Sequence, residues 1–232
     1  NFKNGKFKEA LIETFEEIDS LLITDKINKE LINNSQKSLF EKQSLNLTEN
    51  DYNNINTFIK LFNPINLEKT KIAEYEGSSG IIIIYTENIT FIAYAGNSRF
   101  IIFDKNYNIN KKISICEQNL KNKMNKIDYT RGFGYFKYKN NQLLKNNEQI
   151  IIPTPNVIEI PNSEIGMLII GNKGFFQCNG IEQYFKEKIK TQKDKNISEC
   201  INDFFDKNIN SKGNFRFLFN KNLSCIVISY SI

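Results

Sequence analysis

The chain has 232 residues, of which 40% are hydrophobic and 12% aromatic, enough apolar material for one core of ordinary size and, by length, one domain. Its 31 Lys and Arg against 26 Asp and Glu leave a net charge of +5, but the lysines are scattered among asparagines, with only short dense stretches at Lys111-Lys112 and Lys121 to Lys126. A solvated surface explains that pattern better than a nucleic-acid face, and no apolar run reaches the length of a membrane span.

The chain opens Asn1-Phe2-Lys3, without an initiator Met or a signal peptide, so the sequence reads as an excerpt whose amino-terminal part is not seen. In chain order, Phe7, Leu11, Phe15, Ile18 and Leu22 recur at helical spacing and predict a core-packing helix. From Asp25 to Lys69 the chain is polar, rich in asparagine and free of glycine, which predicts a loop insertion at about 25–69. Its one periodic piece, Tyr52, Ile55, Phe58, Ile59 and Phe62, predicts a second helix.

From Gly80 the pattern turns to strands. Ile81 to Tyr85 and Thr90 to Ala95 flank Glu87-Asn88 and predict a hairpin. Arg99 to Phe103 and Lys112 to Ile115 flank a turn at Asn106 to Asn108. Gln149 to Ile152, Val157 to Ile160 and Met167 to Ile170 predict further short strands. Helices follow at about Ile181 to Thr191 and Ile197 to Asn208, and a strand from Leu223 to Ile232 closes the chain. Strands that follow one another, with helices grouped before and after, predict an α+β fold of antiparallel sheets with helices packed on them.

The sequence contains no histidine, and Cys116, Cys178, Cys200 and Cys225 form no CxxC pair, which excludes a Cys/His zinc site. Cys200 and Cys225 lie in apolar-periodic segments and are expected to be buried thiols. Sequons such as Asn88-Ile89-Thr90 and Asn222-Leu223-Ser224 are what so asparagine-rich a chain produces by chance, and the expected location is inside a cell.

Seven segments in order carry a resemblance. Ala10 to Phe15 with Asp19 is similar to the pattern "al..aF...d..l", and Gly77-Ser78-Ser79-Gly80 to "GSTA". Ala95-Gly96-Asn97-Ser98-Arg99 resembles "xGDSR", and Thr130 to Lys139 resembles "SRALGDFxYK". Pro153 to Val157 resembles "xxPDV", Met167 to Phe176 "FLILASDGLW", and Lys221 to Val227 "DNITVIV". These are landmarks of the PP2C (PPM) metal-dependent serine/threonine phosphatases. The resemblance runs from about residue 7 to the C-terminus and lacks the family's amino-terminal "DGHGG" strand end. It implies a sandwich of two antiparallel β-sheets flanked by helices.

The resemblance also implies metal-assisted hydrolysis, in which aspartates hold two divalent cations that activate a shared water. Position by position, those aspartates are replaced. Lys173 stands at the Asp of "SDG", Lys221 at the Asp of "DN", Asn97 at the Asp of "GDSR" and Tyr135 at the Asp of "GDF". An ammonium offers donors and no lone pair, so it repels a cation instead of ligating it. A register slip of one would put Asn172 in place of Lys173, again without a carboxylate. Asp104 falls on a turn, Asp203 and Asp206 on a surface helix, and Asp128 has no carboxylate paired with it in sequence.

The expectation is therefore a catalytically inactive pseudophosphatase with no metal and no cofactor, acting as a protein-binding or structural subunit among other protein subunits. One alternative is a phosphate- or phosphopeptide-binding module in which Lys173 and Lys221 form an anion pocket for a phosphoprotein. The other is an active metal-dependent phosphatase whose missing ligands come from elsewhere in the protein.

Overall fold

A computed structural model describes residues 1–32, 34, 71–97, 99–109, 130–176, 180–191, 197–210 and 224–230. The isoleucine-rich strands read as continuous apolar runs because both of their faces are covered. In β3 (Ile89–Ala95), Phe91, Ala93 and Ala95 turn to one side and Ile92 and Tyr94 to the other. The first set packs with Leu11 and Phe15 of helix α1 (Phe7–Leu22), which is the helix expected from sequence. The second set meets Phe100 and Ile102 of β4 (Arg99–Phe103) and Leu168 and Ile170 of β7 (Met167–Gly171).

The same division repeats one layer further on. Ile101, Phe103, Met167 and Ile169 face away from the first sheet and pack with Phe185 of α5 (Ile181–Thr191) and Phe204 of α6 (Ile197–Asn210). The described residues thus form four layers: α1, two sheets face to face, and the α5–α6 pair. Each fully buried Ile or Phe in these layers contributes roughly 1.5–3 kcal/mol of apolar transfer.

The first sheet has the order β2-β3-β6, with β2 Gly80–Tyr85 and β6 Asn156–Pro161, and the second β4-β7-β8, with β8 Cys225–Ser229; every pairing is antiparallel. A two-residue ladder joins β1 (Gly77–Ser78) to β5 (Phe133–Gly134). This α+β sandwich is the expected fold class. The two sheets are also tied by polar atoms, since buried Thr90 of β3 hydrogen-bonds Tyr230 beyond β8 at 2.9 Å and donates to Asn162 Oδ1 at 2.7 Å.

Several expectations need correction. Residues 25–32 form a helix, α2, where the start of a loop insertion was expected. Asn28 on it is buried and accepts the backbone N–H of Ile72 at the start of α3 (Ile72–Tyr75), so this polar segment is anchored by a hydrogen bond. Ile18, assigned to the buried stripe of α1, is 38% exposed, and Asp19 is 4% exposed in its place. Gln149 to Ile152 is no strand. Only Ile152 bridges, to Arg131, and the Gln149 side chain instead bonds backbone groups of Asn141 and Leu144 in the preceding loop. The expected helix at Tyr52 to Phe62, the strand Lys112 to Ile115, Cys116, Cys178 and Asp128 lie outside the described residues. Cys200 on α6 is buried, and Cys225 at the start of β8 is partly so, packed against the cluster under α5 and α6.

Candidate functional site

β7 is buried along its whole length and lies between β4 and β8, so its end determines what meets there. Asn172 follows it directly and caps α4 (Lys173–Phe176), accepting the N–H of Phe175 at 2.9 Å. An Asn side chain bonded to the third residue of a helix is the usual N-cap arrangement. The Asn172 Oδ1 also lies 3.4 Å from the Ser224 nitrogen, and its own N–H donates to the Ser224 carbonyl at 3.1 Å. Lys173 is therefore the first residue of α4, and Phe175, fully buried, anchors the turn.

Strand registers bring the other candidate positions to this end. Arg99 pairs with Gly171, and Gly171 with Cys225. Asn97 sits in the turn just before Arg99, where Gly96 holds a φ of 81° and packs so closely on Ser79 that any side chain at 96 would collide with it. Glycine at 96 therefore keeps the β3–β4 turn against the Gly77 to Gly80 segment. Gly134 (φ 71°) plays the same part from β5, with no room for a side chain beside the Glu76 carbonyl.

Tyr135 comes next, itself left-handed at φ 53° and ψ 41°, its N–H bonded to the Glu76 carbonyl and its ring lying over Gly77. A bulky residue in that conformation carries roughly 1–2 kcal/mol of strain. Asn97, Tyr135 and the backbone of Lys173 thus belong to one end of the sandwich, and Lys221 lies outside the described residues.

Helix α1 reaches the same region through a group that the sequence pattern did not single out as functional. Asp19 Oδ1 accepts the Gly134 N–H at 2.8 Å and the Lys139 ammonium at 2.7 Å, and Lys139 also donates to the Gly132 carbonyl at 2.8 Å. Burial pushes the Lys139 ammonium below the usual lysine range, while the hydrogen bond and charge of Asp19 pull it back up. Two sequence clues pointed to it: Asp19 continues the Leu11, Phe15 step of four, and it stands at the acidic position of the helix pattern noted above.

The other aspartates weighed from the sequence lie elsewhere. Asp104 Oδ1 accepts the N–H groups of Asn106 and Asn108 within the turn, as its placement there suggested. Asp203 and Asp206 lie on α6. Among the described residues no three His, Cys, Asp or Glu side chains gather as a group that could hold a metal ion, and no helix is long and apolar enough to cross a membrane.

Residues 110–212 match the sequence profile described as protein phosphatase 2C. Over 193 residues the chain is 24% identical to "Probable protein phosphatase 2C 4" of Paramecium tetraurelia, covering 76% of this chain and 54% of that one. The chain is similar in sequence to the protein phosphatase 2C family. "Protein phosphatase 2C 1" of the same organism is 24% identical over 215 residues, or 86% of this chain and 61% of its own. The chain spans little more than half the length of these curated relatives. Among solved structures, the serine-threonine phosphatase 2C from Toxoplasma gondii is 12% identical, with 76% of this chain and 63% of that chain covered at a TM-score of 0.46. Serine/threonine phosphatase Stp1 from Staphylococcus aureus is 12% identical, covering 81% and 71% at a TM-score of 0.41.

Proposed function

We propose that this chain is a catalytically inactive PP2C-like domain, kept as a protein-binding or structural subunit of a larger assembly inside the cell. The observation that carries this reading is Lys173 at the head of α4, where the family resemblance calls for an aspartate. The residue beside it does not restore a ligand, because the Asn172 oxygen is already committed to capping α4. Asn97, Tyr135 and Lys221 extend the same substitution pattern. A hard divalent cation needs clustered anionic oxygens, and an amide, a phenol and lysines do not fit it.

The test is calorimetric titration of the full-length protein with Mn²⁺ and Mg²⁺, alongside hydrolysis of a generic phosphate ester. The expected result is neither binding nor turnover. Chelator-sensitive hydrolysis would overturn the reading in favour of an active phosphatase, the activity that the names of the curated relatives carry. A second arm with a phosphopeptide addresses the anion-pocket alternative. Salt-sensitive binding lost in both Lys173→Ala and Lys221→Ala would establish a phosphate-holding module in place of a purely structural one.

A further inference from the structure

The Asp19–Lys139 pair is more than a staple. It lines a cavity of about 290 Å³ between α1 and the segment from Phe136 to Thr154. Both side chains are more than nine-tenths buried, at 5% exposure for Asp19 and 7% for Lys139. Asp19 takes both of its hydrogen bonds on Oδ1, so among the described residues nothing bonds Oδ2. Lys139 uses two of its three N–H groups, on Asp19 and on the Gly132 carbonyl, with the Phe136 ring 5.2 Å from Nζ. Asp19 and Lys139, both lining the cavity, therefore retain one acceptor oxygen and one donor N–H for an occupant.

The rest of the lining narrows the occupant. Phe136, Ile151 and Pro153 make one wall apolar, and Ile151 is fully buried. Glu16 and Ser20 stand on α1 at the cavity, with Glu16 accepting the Thr154 hydroxyl at 2.7 Å. A carboxylate ligand would meet Asp19 and Glu16 and be repelled. An ammonium would face Lys139 and leave its donor unused. A carboxamide has an N–H₂ for Asp19 Oδ2 and a carbonyl oxygen for Lys139, and its methylene stem suits the apolar wall.

We infer that this cavity is a recognition site for a carboxamide side chain, glutamine or asparagine, presented by a partner peptide. It lies on the α1 side of the first sheet and requires no metal.

The test is an amide-resonance titration of the intact chain with N-acetyl-glutamine N-methylamide, with the corresponding glutamate and norleucine N-methylamides and acetamide as separate arms. Saturable shifts at Ser20, Gly134, Lys139 and Thr154 are expected from the glutamine probe. The glutamate and norleucine probes should bind at least about tenfold more weakly. Ser20→Trp, a substitution at an exposed position that fills the opening, should abolish the shifts while leaving the remaining spectrum in place. Equal response to the glutamate or norleucine probe, absence of saturation, or persistence in Ser20→Trp would overturn the site. Acetamide binding as tightly as the glutamine probe would overturn the assignment to a peptide side chain.

Discussion

At Asp19 a charged residue occupies a position in the buried stripe of α1, and its surroundings make this tolerable. Its carboxylate collects a backbone N–H and an ammonium at ordinary hydrogen-bond lengths. A buried pair of this kind adds little over an apolar pair of the same shape, but loss of one partner leaves an uncompensated charge. Lys139→Met is accordingly expected to destabilise the fold by about 3–5 kcal/mol in urea denaturation. Asp19→Leu combined with Lys139→Met should recover much of that loss, which a double-mutant cycle would read as strong coupling. Additive effects would mean that the two side chains do not meet as described.

Helices α5 and α6 illustrate packing at the scale of elements. Each is amphipathic, and their aromatic residues interlock, with Tyr184 and Phe204 ring centroids 5.1 Å apart and Phe185 and Phe204 5.6 Å apart. The Tyr184 hydroxyl donates to the Cys200 carbonyl at 3.3 Å, joining the two helices. Burial, with the nearby charge of Asp203 and with Cys200, pushes the Tyr184 phenol up from 10.0 to about 12. The folded state therefore holds a proton that the unfolded chain releases between those values, and stability falls as pH rises through that window. Tyr184→Phe should flatten the decline between pH 10 and 12 in alkaline melting curves. An unchanged slope would assign the alkaline loss to other groups.

For the whole molecule, the decisive feature is that two sheets present apolar faces to each other and to helices on both sides. The polar link from Thr90 to Tyr230 crosses this sandwich, and Thr90 is fully buried. Tyr230→Phe keeps the ring against Tyr85, whose centroid lies 5.4 Å away, and deletes only the hydroxyl. A loss of about 1 kcal/mol in thermal unfolding is expected, since the Thr90 hydroxyl retains Asn162 as an acceptor. A loss several times larger would mean that the link organises the sheet pairing itself.

Local patterns already determined much of this protein. The helices at Phe7–Leu22 and Ile181–Thr191, and the hairpin across Glu87-Asn88, follow from apolar periodicity and turn residues, because these are properties of a few neighbouring side chains. The seven ordered landmarks were likewise enough to suggest the PP2C resemblance. Periodicity could not tell that Asp19 would be buried and Ile18 half-exposed, since the carboxylate's partners lie 115 and 120 residues away. Nor could it tell that the alternation across Ile150 and Ile151 lacks a ladder, because a strand exists only where another chain segment accepts its hydrogen bonds. The gathering of Asn97, Tyr135 and the start of α4 at one end of the sandwich is of the same kind. It depends on the registers Gly77 to Gly134, Arg99 to Gly171 and Gly171 to Cys225, and register is decided when whole sheets pack.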